Sequence, residues 1–375
     1  MINKVIYLIQ GKCSITDIIK YIKGSAFAYG KKKKTKGNID FQFKHNFIFI
    51  SDGKNMGLFH YILDEEQSLS NVWNDAKFSA NPILNVLFKI YSAKRKKKHG
   101  LPFGGELLQT RARKLKKKIS QQSIEEEELC FLLIGPHFIY PDHWLRDSLK
   151  RIFPKAKICL YIIDQINVHY ELQLLIDKHI NDYDLIYSYD RTMSEQYGLH
   201  FHNFPVGDLK QHIKFETEEK YDICFVGKAK NRLNQIIEVY ERCKQIGLRC
   251  CFYILWVKKQ DFVYEDDIHY NVPLNYYDYL QVVASSKCLL EVIQEGSSGN
   301  TLRVNEAIAL NKLFITNNSN IIENGIYDDR YMMVINDVQN ITTDFFNVSN
   351  INYAPSIRNR IMLSEFLKDV EGNLK

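Results

Sequence analysis

Residues 288–318 read CLLEVIQEGSSGNTLRVNEAIALNKLFITNN, and this stretch decides the fold class. The apolar run Cys288–Ile293 has the length of a buried strand. Glu295-Gly296-Ser297-Ser298-Gly299 follows, a loop of small residues that lets a backbone approach a ligand closely. From Asn300 to Leu310 the apolar residues Leu302, Ala307, Ile308 and Leu310 fall at helical spacing, with Asn300 or Ser298 able to cap the start. Leu313–Thr316 is a second buried strand. Strand, loop, helix, strand is one crossover unit of a parallel sheet, and its helix N-terminus suits a phosphate. Taken alone, the loop is equally compatible with a plain tight turn.

The same rhythm extends on both sides. Upstream, strand Cys130–Ile134, helix Trp144–Ile152, strand Lys157–Ile163, helix Tyr170–His179, strand Asp184–Tyr187 and a short helix through Tyr197 alternate as in a parallel sheet with covering helices. The rhythm lapses between about Phe204 and Lys220, which reads as a linker. It restarts with strand Asp222–Val226, a loop over Gly227–Lys230 and helix Asn231–Gln245. Strand Cys250–Trp256, an extended piece Ile268–Val272 and helix Tyr276–Ser285 lead back to the opening stretch. Strand Tyr331–Ile335 and an amphipathic helix Ile357–Val370 close the chain. Before residue 129 the pattern is less regular: strands Lys4–Ile9 and Asn46–Ser51, and helices Ile15–Lys23, Ile83–Tyr91 and Glu106–Ile119. The implied organisation is an N-terminal α/β domain over 1–210 with a basic helical region at 70–120, a second over 211–350, and a C-terminal helix in 351–375 that packs back on the first.

A chain of 375 residues with 45% apolar and 25% charged residues has the composition of a globular protein with room for two domains. The eight cysteines form no CxxC or Cys/His cluster, and Cys130, Cys159, Cys224 and Cys288 sit inside apolar runs. Reduced thiols in a cytosolic protein are expected, and a zinc site is not. No signal peptide or membrane-spanning run is evident. The net charge of +6 is concentrated in Lys31–Lys36, Lys94–Lys98 and Arg111–Lys118. Such blocks suit an anionic membrane face or an anionic acceptor, and they equally suit a solvated helix surface. Nucleic acid is not expected as a partner, because no recognised motif is present and the aromatics are not interleaved with the basic runs.

Three strings carry a family resemblance: YDICFVGKAKNRL (221–233), YDYLQVVASSKCLLEVIQEGSSGNTLRVNEAIALNKLFITNN (277–318) and NDYDLIYSYDRTMSEQYGLHFHNFP (181–205). Their order and spacing resemble the GT-B glycosyltransferases, nearest to CgeB-like and group 1-related enzymes of bacterial surface polysaccharides. The resemblance spans roughly residues 129–345. It implies two Rossmann-like α/β domains facing each other across a cleft, with the nucleotide-sugar donor on the second. Many of these enzymes carry two glutamates eight positions apart. Glu306 matches the second, but Ser298 stands where the first would be.

The resemblance implies that Glu306 accepts from the ribose diol. Backbone N–H groups at Gly299, Asn300 and Thr301, near Ser298, would hold the diphosphate, with positive charge from Lys228 and Arg232 on the Gly227 loop and from Arg303. The nucleobase would sit by the loop after Cys250–Trp256 and near Pro273. No cofactor or metal is expected: Asp266-Asp267 and Asp328-Asp329 are adjacent rather than alternating. His137, Asp164 and Asp190 close predicted strands and are candidates for the base that deprotonates the acceptor hydroxyl. The acceptor would be a glycan or lipid-linked glycan, and the enzyme peripheral at the inner face of the cell membrane. A sugar-nucleotide epimerase and a catalytically silent nucleotide- or glycan-binding subunit are the competing readings.

Overall fold

The computed structural model describes residues 43–51, 72–74, 112–117, 119–122, 124–134, 144–163, 170–207, 209–213, 219–294 and 299–374, and all structural statements concern these. The elements expected at Lys4–Ile9, Ile15–Lys23 and Ile83–Tyr91, and the basic blocks Lys31–Lys36 and Lys94–Lys98, lie outside them.

The first unit contains β1 (Asn46–Ser51), β2 (Val72–Asn74), β3 (Leu129–Ile134), α1 (Trp144–Ile152), β4 (Lys157–Ile162), α2 (Tyr170–His179), β5 (Leu185–Ser188), α3 (Arg191–Tyr197) and β6 (His200–Phe201). Its six strands are parallel, in the order β2-β1-β3-β4-β5-β6. All six residues of β3 are buried, as a parallel sheet covered on both faces requires. Alternation sends Phe131 and Leu133 to one face, against Leu149 of α1 and Ala112, Leu115 and Ile119. Cys130 and Leu132 face the other side, into a separate cluster.

The second unit contains β7 (Tyr221–Lys228), α4 (Leu233–Gln245), β8 (Cys250–Leu255), β9 (Ile268–Tyr270), α5 (Tyr276–Ala284), β10 (Ser286–Glu291), α6 (Leu302–Leu310), β11 (Leu313–Thr316) and β12 (Met332–Val334). This sheet is also wholly parallel, in the order β12-β11-β10-β7-β8-β9. The chain winds outward from β7 to β8 and β9, then returns to β10 on the other side. The strand order therefore reverses between β7 and β10, and such a switch point opens a crevice at the strand C-termini. In the first sheet the reversal falls between β1 and β3. Two Rossmann-like α/β units in one chain are the architecture that the GT-B resemblance implies.

Two junctions join the units. Helix α7 (Leu363–Asn373) buries Leu363, Phe366, Leu367 and Val370 against Phe47, Cys159 and Tyr187 of the first unit. Glu371 on the same helix accepts from the His45 backbone N–H at 2.8 Å. The single terminal helix expected over Ile357–Val370 is two, Pro355–Asn359 and Leu363–Asn373. They part because Met362 pairs with Val206 as a parallel bridge, and the Ile361 carbonyl accepts from Val206 N–H at 2.8 Å. The expected linker is not free either: Val206, Leu209 and Ile213 are buried in a core cluster of the second unit.

The second junction lies at the strand C-termini. Tyr189, just past β5, lies so close to Gly299, past β10, that a Cβ on the glycine would sit 2.3 Å from the ring. The C-terminal edges of the two sheets thus face one another there.

Candidate functional site

Two arginines meet at the switch point between β7 and β10. Arg232 lies just ahead of α4, 9% exposed, and donates to the Val292 carbonyl and, at 3.0 Å, to the Lys228 carbonyl. Arg303 in the first turn of α6 donates to the Val226 carbonyl at 2.6 Å and lies over the Phe225 ring. Both Nε atoms are buried without a partner. Neither guanidinium has a carboxylate within ion-pair distance among the described residues. Burial, then repulsion from Arg303, pushes Arg232 down to about 10 from the usual guanidinium value. Gly227 leaves room here, since a Cβ would fall 2.7 Å from the Arg303 guanidinium and make it shift. Two cations in one crevice, held by carbonyls with no carboxylate at ion-pair distance, could take an anion.

The helix start differs from the expected one. Thr301, not Asn300 or Ser298, is the N-cap of α6, its hydroxyl accepting from the Arg303 N–H at 3.2 Å. The Thr301 hydroxyl in turn donates to Glu291, whose other carboxylate oxygen accepts from Thr316 at 2.6 Å. Glu291 is fully buried and ties the ends of β10 and β11 to the head of α6. Asn300 has a different task. Its amide donates to Asn203 of the first unit at 2.8 Å and accepts from Asn324 at 3.0 Å. Asn305 donates to the Phe204 carbonyl at 2.7 Å. These amides bind the α6 region to the end of the first unit.

Glu306 is 1% exposed, and its two carboxylate oxygens accept from Tyr276, at 2.6 Å, and from Tyr279. Burial pushes its carboxyl up to about 7, with the two tyrosine hydroxyls and Arg303 pulling against it and Glu291 pushing with it. A ribose diol would have to reach this carboxylate beside, or in place of, a tyrosine hydroxyl.

Of the other expected site residues, Ser298, His137 and Asp164 lie outside the described residues. Asp190 is 1% exposed and caps α3, accepting from Met193 N–H at 3.1 Å. The Lys228 ammonium rests 4.0 Å from the centre of the Trp256 ring. Pro273 is exposed in the turn ahead of α5. Sequence reasoning gives no role to Tyr189, Asn203, Asn324, Tyr276 and Tyr279, and sets Glu291 aside because it lies off the eight-residue spacing from Glu306. Only Glu291, an acid closing an apolar run, carried a signal of its own. The others depend on pairings between distant segments.

No family model and no curated protein matches the chain. Solved structures do. A glycosyltransferase from Rickettsia africae ESF-5 is 9% identical with a TM-score of 0.46, covering 87% of this chain and 97% of its own. A UDP-forming α,α-trehalose-phosphate synthase from Burkholderia vietnamiensis is 10% identical, TM-score 0.43, covering 88% and 96%. The catalytic domain of starch synthase IV from Arabidopsis thaliana, bound to ADP and acarbose, is 7% identical, TM-score 0.45, covering 74% and 78%. All are distant in sequence, and the chemistry of the site follows from this chain's own residues.

Proposed function

We propose that the chain is a glycosyltransferase that moves a sugar from a nucleotide-sugar donor to a glycan or lipid-linked acceptor. The observation that carries this reading is the pair of guanidinium groups, Arg232 and Arg303, each with an unpartnered Nε and no carboxylate at ion-pair distance, at the switch point of the second sheet. A diphosphate seated there would meet both cations, the ammonium of Lys228 and the N-terminus of α6. As the bond from the sugar C1 to the diphosphate oxygen breaks, negative charge grows on the leaving group, and these groups stabilise it with no step routed through a metal. The acceptor oxygen bonds to C1, and its proton passes to a base of the first unit or to the departing phosphate. With Asp190 engaged in capping α3, His137 and Asp164 remain the candidate bases. Glu306 would take the ribose beside, or in place of, a tyrosine hydroxyl, and the base would lie by the loop after β8 and Pro273.

The acceptor side is read from charge. Helical residues 112–117 expose Arg113, Lys114, Lys116 and Lys117 while burying Ala112 and Leu115. That arrangement supports an anionic surface as partner, in keeping with a lipid-linked acceptor of bacterial surface-polysaccharide synthesis at the inner membrane face. No helix of the described residues is long and apolar enough to cross a membrane. Calorimetry with UDP, GDP, ADP and their sugars tests the reading, followed by turnover assays with glycan acceptors in the presence of a chelator. Micromolar binding of at least one diphosphate that Arg232→Ala plus Arg303→Ala abolishes is expected. Unchanged affinity in that double variant would end the assignment.

A further inference from the structure

Trp256 stands apart from every other large apolar side chain. It is 58% exposed, the most of any in the described chain, and its backbone is left-handed at φ +65°. A bulky residue rarely adopts that conformation without something holding it there. Here the holder is Asn271, just past β9. Its side chain accepts from the Val257 N–H at 3.2 Å and donates to the Val257 carbonyl at 2.8 Å. Val257 is buried, so the residue after the tryptophan is fixed and the indole is left standing at the rim of the sheet. The ammonium of Lys228 on the adjacent strand lies over the indole, 4.0 Å from the ring centre.

The root of that lysine is equally fixed. Its carbonyl accepts from Arg232 at 3.0 Å, and Ala229 N–H donates to the Leu255 carbonyl at 2.8 Å. The stem therefore starts between the indole and the anion crevice. The ammonium is held below its usual value by burial and by Lys230. A solvent-facing cation–π contact is weaker than a charged hydrogen bond to phosphate.

We propose that Lys228 and Trp256 form an exchange element for a nucleoside diphosphate: the ammonium leaves the indole for the diphosphate, and the base stacks on the ring it vacates. The inference rests on the donor site proposed above and adds the residue that holds the base and the order in which its surface becomes available. The diphosphate would thereby help to open the base site. A base without phosphates would have to compete with the ammonium for the ring face.

The test uses the full chain labelled with 5-fluorotryptophan, the Trp256 fluorine resonance being identified by its loss in Trp256→Phe. Inorganic pyrophosphate, which carries no base, is expected to shift that resonance, and Lys228→Met to abolish the shift. UDP, GDP or ADP should shift it further. Trp256→Ala should weaken their binding about tenfold, Trp256→Phe much less, and neither should weaken binding of pyrophosphate. Thermal midpoints of the variants separate these effects from misfolding. If a nucleoside diphosphate binds the wild-type chain while the Trp256 resonance stays still, or Trp256→Ala retains full affinity, the exchange is wrong and the donor site stands. If none of the three diphosphates binds, both are wrong.

Discussion

The two sheets are alike in strand number and in parallel winding, and both units pair cations with carboxylates, but the arginines at the switch point of the second are held differently. In the first unit several cations beside the sheet have carboxylate partners. Arg146 reaches Asp147 and Asp182, and Lys150 and Lys157 reach Asp184 at 3.3 and 3.4 Å. In the second unit, the cations at the switch point bond to carbonyls and leave Nε atoms unmet. A paired charge is already accounted for within the fold. A buried donor left unmet beside a helix terminus is one that a ligand could satisfy.

The contrast breaks most decisively at the arginines. Each hydrogen bond from a guanidinium to a phosphate contributes about 1.5–3 kcal/mol, so Arg232→Ala with Arg303→Ala should cost at least about a hundredfold in diphosphate affinity. Arg146→Ala should lower stability and leave that affinity untouched. Equal effects from both would erase the distinction between the units.

The acids sharpen it next. Burial pushes Asp182 up, but hydrogen bonds from His179 and Arg146 outweigh it and hold the carboxyl below its usual range. Glu306, accepting only from neutral hydroxyls, is raised to about 7. A raised acid binds its proton more tightly when folded. Its contribution to stability is therefore full below about 4.5 and lost as pH rises through about 7, a change of about 3 kcal/mol. Relative to Glu306→Gln, the wild-type unfolding free energy should fall by that amount between pH 4.5 and 8 in denaturant titrations. Parallel profiles for the two proteins would show that Glu306 keeps its ordinary value.

The contact between the two sheets is a smaller test. Gly299→Ala places a methyl against the Tyr189 ring, where overpacking costs about 1–3 kcal/mol. A thermal midpoint that falls in Gly299→Ala and recovers with Tyr189→Ala added would locate the strain between the units. The smallest effect belongs to the basic helix. Each Lys or Arg near an anionic leaflet contributes about 1 kcal/mol, so Arg113→Gln, Lys114→Gln and Lys117→Gln should weaken salt-sensitive binding to anionic vesicles stepwise. Lys116 should matter less, since it donates to the Ile152 carbonyl at 2.8 Å and pairs with Glu126 at 3.6 Å. Binding indifferent to salt would reduce this helix to a solvated face.

Much of this molecule is legible along the chain. Strand Asn46–Ser51 and helices Trp144–Ile152 and Tyr170–His179 have the expected bounds, because apolar period and breakers are local signals. The sequence offers Asn300 or Ser298 as the cap of α6, yet Thr301 serves, because Asn203 and Asn324 engage the Asn300 side chain. The terminal helix looked continuous because its apolar spacing continues through the residues that Val206 claims.

The stretch 288–318 shows the same division. Its residues alone determined a strand, a loop, a helix and a second strand, along with a helix start suited to an anion. The tertiary structure decided that β7 lies beside β10, which brings Arg232 against Arg303, and that Tyr276 and Tyr279 cover Glu306. It also decided that Lys228 meets Trp256. Local periodicity sets which residues share a face, but the neighbours of a charge, and so whether it is spent or waiting, depend on contacts between segments far apart in the chain.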